Sequence, residues 1–147
     1  MTTLPGAQIS QKPIELILLR ELASRLTMAV SLCDETGTLV YLNEPAEELF
    51  AVLFDDVGEI SQVDFMAMLR PADADGVPIP ALELPTGLAL SGRGPQHRTM
   101  WICDARGRAH LIAVTVLPLD AQGGGTIGAM TIYWEVSESD QALLQTP

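Results

Sequence analysis

Apolar residues crowd positions 14–28, where Ile14, Leu16, Ile17, Leu18, Leu19, Leu22, Ala23 and Leu26 cover most of a helical circumference. Leu, Ile and Arg are frequent there and Gly is absent, so the segment predicts a helix. A helix packed on one side only carries a narrower stripe. The extra width implies a second contact, with a sheet on one side and a partner subunit on the other, or a helix enclosed wholly by its own domain. From residue 29 the pattern becomes that of strands. Val30, Leu32 and Cys33 lead into Asp34-Glu35-Thr36-Gly37, a turn in which Gly37 can take a positive φ. Leu39-Val40-Tyr41-Leu42 is a β-branched and aromatic run of strand length. Strands are therefore expected at 29–34 and 38–42. Asn43 can cap a helix at 44–54, with Pro45 in its first turn and acidic residues where the helix dipole favours them. Ala46, Leu49, Phe50 and Leu53 fall on one side of that helix.

A further helix is expected at 61–69, where Ser61 and Asp64 resemble a capping pair and Pro71 lies just beyond the end. Residues 70–82, rich in Pro, Ala and Asp, read as a loop. Residues 84–91 form a short helix with Pro85 in its first turn and Gly92 as its stop. Three strands follow at 97–103, 110–117 and 126–136. They are joined by Asp104-Ala105-Arg106-Gly107 and by Gln122-Gly123-Gly124-Gly125, as in an antiparallel meander. The 110–117 strand is apolar on both faces, so both faces of the sheet are expected to be covered. The central helices can cover one face and the 14–28 helix the other. Residues 1–13, small, polar and punctuated by proline, read as a flexible lead, and 137–147 as a tail.

The length, 147 residues, suits one domain with short extensions, and 48% hydrophobic residues supply a core. A net charge of -11 argues against a nucleic-acid partner, which needs clustered Lys and Arg. The local exception is Arg93, Arg98, Arg106 and Arg108, four of eight basic residues within one short stretch. They read as a soluble hairpin surface or as a site for an anionic partner. Cys33 and Cys103 stand in apolar runs as small hydrophobes. Residues 1–13 hold no continuous apolar core of the secretory type, and the run Ile14 to Leu19 is too short to span a bilayer. A reducing cytoplasm with no membrane association is expected.

The run from Asp34 through Gly37, Tyr41 and Asn43 to Ala46-Glu47-Glu48-Leu49 resembles the opening of a PAS domain. Two more segments resemble the same family in the same order. One is Pro78-Ile79-Pro80-Ala81-Leu82-Glu83-Leu84-Pro85 with Ala89-Leu90-Ser91-Gly92. The other is Asp104-Ala105-Arg106-Gly107, then Val114 to Asp120, then Gly128-Ala129-Met130. The resemblance covers about 14–136, with 29–136 as the PAS core. It implies an α+β fold: a five-stranded antiparallel sheet in order 2-1-5-4-3, helices and a cavity on one face, and the N-terminal helix flanking the other. PAS domains sense or connect and rarely catalyse. Where many relatives end the last strand and pass to an output domain, this chain has Glu135-Val136-Ser137 and ten further residues. Output is therefore expected from a signalling partner, or from a larger protein of which this is one piece.

The resemblance also frames the candidate sites. Flavin photosensors of the family use a helical cysteine, and residues 44–69 hold none; Met130 stands where their last-strand glutamine is expected. Haem sensors place a histidine ligand in the helix equivalent to 84–91, which has none, leaving His97 just beyond it as a remote haem or gas-sensing alternative. Asp73, Asp75, Asp64 and Glu83 offer oxygen ligands but match no calcium loop, so no metal is expected. Gly123-Gly124-Gly125 opens a strand and lacks the helix N-terminus of a phosphate loop. Ser31, Ser91 and Cys103 sit in no catalytic motif, and the two histidines fit no zinc spacing, so no enzyme is expected. Phe50, Leu53, Phe65, Met68, Leu88, Met130 and Ile132 are the expected lining of an apolar cavity, empty for a small ligand or filled as core. Ile14, Ile17, Leu18 and Leu22 are the expected homodimer surface. The expectation is thus a regulatory domain without cofactor, working by homodimerisation and partner binding, with small-molecule sensing in the cavity as the alternative.

Overall fold

The computed structural model describes residues 13–136. Three carboxylates fold its hairpins by one device. Asp34 Oδ1 accepts from the backbone N–H of Thr36 and Thr38 at 2.9 and 3.1 Å. Asp104 Oδ1 does the same for Arg106 and Arg108, and Asp73 Oδ1 for Asp75 and Val77. Each turn closes on a glycine at positive φ, Gly37, Gly107 and Gly76, the backbone region that a side chain disfavours. The Asp73 turn was expected only as part of a loop; there Ala72 also exchanges two backbone hydrogen bonds with Trp101. That short bridge lies along the outer strand of the sheet and occupies part of its open edge.

The elements run α1 (Ile14–Ala23), β1 (Ala29–Asp34), β2 (Leu39–Leu42), α2 (Glu44–Phe50), α3 (Phe54–Val57), α4 (Gln62–Leu69), α5 (Pro85–Leu88), β3 (Gln96–Cys103), β4 (Ala109–Asp120) and β5 (Thr126–Glu135). A 3-10 turn at Ala81–Glu83 precedes α5, and a wide helical turn at Ala89–Arg93 follows it. The strands pair antiparallel in the order β2-β1-β5-β4-β3, as expected. Pairings of Ser31 with Thr131 and of Thr131 with Val116 put Ala29, Ser31, Cys33, Ala129, Thr131, Tyr133, Val114 and Val116 on one face. The inner core lies between this face and the helices, centred on Phe50, which meets Phe65 and Tyr133 edge-on at 5.7 and 4.9 Å between ring centroids. Gly128 lets β1 and β5 pair closely, since a Cβ there would collide with the Cys33 carbonyl oxygen.

Helix boundaries differ from the expectation at two places. The helix expected over 14–28 ends at Ala23. The Ser24 hydroxyl donates to the Glu21 carbonyl, and the Arg25 and Leu26 N–H groups reach back only three residues. The helix expected over 44–54 is two helices, because Ala51 takes a left-handed conformation (φ 58°, ψ 38°). Glu47 turns its carboxylate onto the Phe54 N–H at 2.7 Å, capping α3 and restarting the helix there. By contrast Ser61 caps α4 through the Asp64 N–H, in agreement with the sequence.

Asn43 caps α2 and does far more. Its Oδ1 accepts from the N–H of Ala46 and of Val30, and its Nδ2 donates to the carbonyls of Ala23 and Met28, all at 2.8–3.1 Å. The side chain is fully buried, and this is its entire hydrogen-bonding capacity. It ties the end of α1, the start of β1 and the start of α2 to one point. Asn43→Ala strands several buried backbone groups and is expected to cost about 3–5 kcal/mol in urea unfolding. Asn43→Asp keeps the two acceptor contacts but sets a carboxylate against two carbonyl oxygens. It is expected to be destabilised as well, and less so at a pH that protonates it. A loss below about 1 kcal/mol for the alanine variant contradicts this role.

Candidate functional site

Between the sheet and the helices lies the place where the sequence leads one to expect a ligand chamber. Ser31, Cys33, Leu39, Thr131 and Tyr133 of the sheet meet Gln62, Phe65 and Met66 of α4 there, with Gly37 and Thr86 at the margin. The space left is about 10 Å³, room for roughly one water molecule. Its polar groups serve one another: the Ser31 hydroxyl and the Tyr133 hydroxyl are 2.7 Å apart. Burial pushes the Cys33 thiol up to about 12, slightly offset by a backbone hydrogen bond from Ala129, so it stays protonated and unreactive. Burial likewise raises the Tyr133 phenol, against its hydrogen bonds from Ser31 and Thr131.

Of the seven side chains expected to line a cavity, Phe50 and Phe65 are in the inner core. Leu53 and Met68 are exposed, at 56% and 38%, and Leu88 is half-buried. Met130 and Ile132 pair with Leu32 and Val30 on the opposite sheet face, with their backs to α4. The seven do not converge on one space. β5 is apolar at both parities, so alternation did not reveal which set faces inward. The inward set holds Thr131 and Tyr133, which are more polar than the outward set. A signal was present in Tyr133, the one residue of β5 whose ring and hydroxyl suit a buried, hydrogen-bonded position.

The flavin and haem alternatives depend on this same space. Thr131 and Tyr133, not Met130, are the β5 residues beside it, and Cys33 enters it from a strand rather than a helix. These residues do not fit a flavin bound as in such photosensors, which needs room for its rings and a reactive helical thiol. His97 is on the outward face, its Nδ1 2.8 Å from the Thr115 hydroxyl, and does not reach the inner space. Among the described residues no group of three or more His, Cys, Asp or Glu is arranged to hold a metal ion. The four arginines of 93–108 are divided by β3, whose eight residues span roughly 26 Å.

Two surface features stand out instead. On α1, Leu16 and Ala23 are buried and α1 packs against β1, while Ile14, Ile17, Leu18 and Leu22 are 67, 51, 62 and 52% exposed. Ile14, Leu18 and Leu22 recur every fourth residue and so share one face. The second is a clasp at the end of β5. His110 of β4 lies between two carboxylates, Nε2 2.9 Å from Asp104 Oδ2 and Nδ1 3.3 Å from Glu135 Oε2. Burial pulls the imidazole down, but its hydrogen bonds to Asp104 and Glu135 and their charges outweigh this and raise it above 6.5. The hydrogen bond from His110, with those from the Arg108 and Arg106 backbone, holds Asp104 at about 2.

The sheet order, the helices between β2 and β3, and the flanking α1 are those of PAS and LOV domains. The PAS domain of Bordetella pertussis BvgS is similar with a TM-score of 0.60 at 15% identity, over 89% of this chain and 93% of that one. The Rhodobacter sphaeroides LOV protein gives a TM-score of 0.69 at 14% identity, over 88% of this chain and 72% of its own. For the PAS domain of nitrogen regulation protein NR(II) from Vibrio parahaemolyticus the values are 0.57 and 20%, over 81% and 98%. No protein-family model and no curated protein matches the sequence. Identities this low establish the shared fold, so the chain has the PAS fold. No helix among the described residues is long and apolar enough to cross a membrane.

The clasp has a definite pH dependence. His110 is raised in the folded state, so its contribution is complete below about 6.5 and is lost as pH rises through its folded value. Asp104 is depressed, so its contribution is present above 3.8 and lost as pH falls through about 2. The clasp is strongest between those limits. An NMR titration of the His110 ring is expected to give a pKa above 6.5, and Asp104→Asn to lower it. An unchanged midpoint in the variant would show that Asp104 does not hold the imidazolium.

Proposed function

We propose that this chain is a non-catalytic PAS regulatory domain of signal transduction, working in the cytoplasm by association: it pairs with a second copy through α1 and engages a signalling partner. The observation that carries the reading is the outward face of α1. A short helix that buries only Leu16 and Ala23 presents four large aliphatic side chains to solvent. Such a face is costly in water and is satisfied by a like face on a second subunit. The division expected from the sequence fits this reading, with 14–28 as the associating segment and 29–136 as the body that carries it. The lead and the tail, 1–13 and 137–147, lie outside the described residues apart from Pro13.

The closed inner space supports association over sensing of a small apolar ligand. Cavities that hold small ligands measure about 300 Å³ or more, against the 10 Å³ between Tyr133 and α4. Entry would require α4 to move off the sheet and Phe65 to leave Phe50. The likeness to PAS domains of sensor proteins, among them one from a two-component sensor histidine kinase, supports the signalling context.

Leu18→Glu tests the reading. Light scattering after size exclusion is expected to show the mass falling from dimer to monomer, with the far-UV spectrum of the fold retained because Leu18 is already exposed, and with the concentration dependence of the melt lost. A wild-type monomer, or an unchanged mass in the variant, removes α1 as the interface.

A further inference from the structure

A wide concavity lies outside the core, between α2 and α3. The chain leaves α2 at Ala51 in the left-handed conformation and restarts at Phe54 under the Glu47 cap, so two short helices diverge from one point. The groove between them is about 850 Å³ and open to solvent. Its apolar lining is Ala51, Val52, Leu53 and Val57, and Leu53 is 56% exposed. Its rim carries four carboxylates, Glu44, Glu47, Glu48 and Asp56, against a single cation, Arg106 of the β3–β4 turn.

We infer that this groove is a docking site for a basic, amphipathic segment of another protein, one that sets an aliphatic side chain on Leu53 and Lys or Arg on the rim. The chemistry of the groove selects that occupant. Aliphatic side chains set beside four carboxylates match a helix with one apolar face flanked by cations. The chain's own ends do not qualify: residues 1–12 carry one cation, Lys12, and residues 137–147 carry none. A second copy brings a net charge of -11 of its own, which opposes its approach to an acidic rim. The inference deepens the association reading by giving the signalling partner a chemistry, but it uses a surface separate from α1. Loss of dimerisation in Leu18→Glu therefore leaves it standing, and its own failure leaves the dimer standing.

The test uses three fluorescein-labelled synthetic peptides of equal length: a Lys/Leu amphipathic helix, the same residues scrambled to destroy the apolar face, and a Glu/Leu version. Anisotropy titrations are run against the full chain at about 50 and 300 mM salt. The amphipathic cationic peptide is expected to bind, and the other two to bind at least about tenfold more weakly. Glu48→Lys is expected to weaken binding by about tenfold and to flatten the salt dependence; Leu53→Ser is expected to weaken it similarly at both salts. Both side chains are exposed, so both variants keep the fold. Glu83→Lys makes the same charge change away from the groove and is expected to leave binding unaltered. Equal loss in Glu83→Lys, equal binding of the scrambled peptide, or no binding up to about 1 mM each overturns the inference.

Discussion

The fold depends on one buried amide. Asn43 spends two donors and two acceptors on four backbone groups drawn from three elements, and has none left over. Backbone groups at a helix end and at a strand start are otherwise orphans, and orphans inside a core cost more than any single hydrogen bond returns. One side chain therefore decides where α1 stops, where β1 begins and where α2 starts. Because those three points coincide, α1 is held against β1 rather than trailing from it. Its outward aliphatic face is thereby presented in a fixed orientation.

The inner face follows from a second constraint, close packing. Phe50, Phe65 and Tyr133 meet edge-on, and Ser31 and Tyr133 pair their hydroxyls, so the volume that a PAS fold can leave for a ligand is taken up by side chains. Gly128 contributes by letting β5 approach β1 without a Cβ between them. Among the described residues this interior presents a small space and a protonated thiol. The surfaces proposed to meet other molecules lie outside it, on α1 and between α2 and α3.

The His110 clasp joins two parts of the molecule that the helices do not. It fastens the β3–β4 turn to the last residue of β5, at the point where the chain leaves the sheet. The Ala105 N–H also bonds the Phe50 carbonyl, so the same turn is tied to the end of α2. Charge and backbone hydrogen bonding thus brace the end of the sheet from two sides.

The sequence by itself determined the element order and the Asp34 and Asp104 turns, because these rest on local chemistry; the strand order was legible only through the resemblance to PAS domains. An aspartate three residues before a glycine makes the same turn at Asp34 and at Asp104, and Ser61 caps its helix from within four residues. It also marked α1 as too apolar for a single contact; in the lone chain Ile14, Ile17, Leu18 and Leu22 are exposed. What only the tertiary structure decided was facing. β5 is apolar at both parities, so which of Met130–Ile132 or Thr131–Tyr133 points inward is set by pairing with β1 and β4, not by residue type. The break at Ala51 was likewise invisible, since alanine favours helix and the capture of Glu47 by the Phe54 N–H exists only once the chain has turned. The closed chamber and the acidic groove are consequences of those two decisions, which depend on long-range packing that no local pattern encodes.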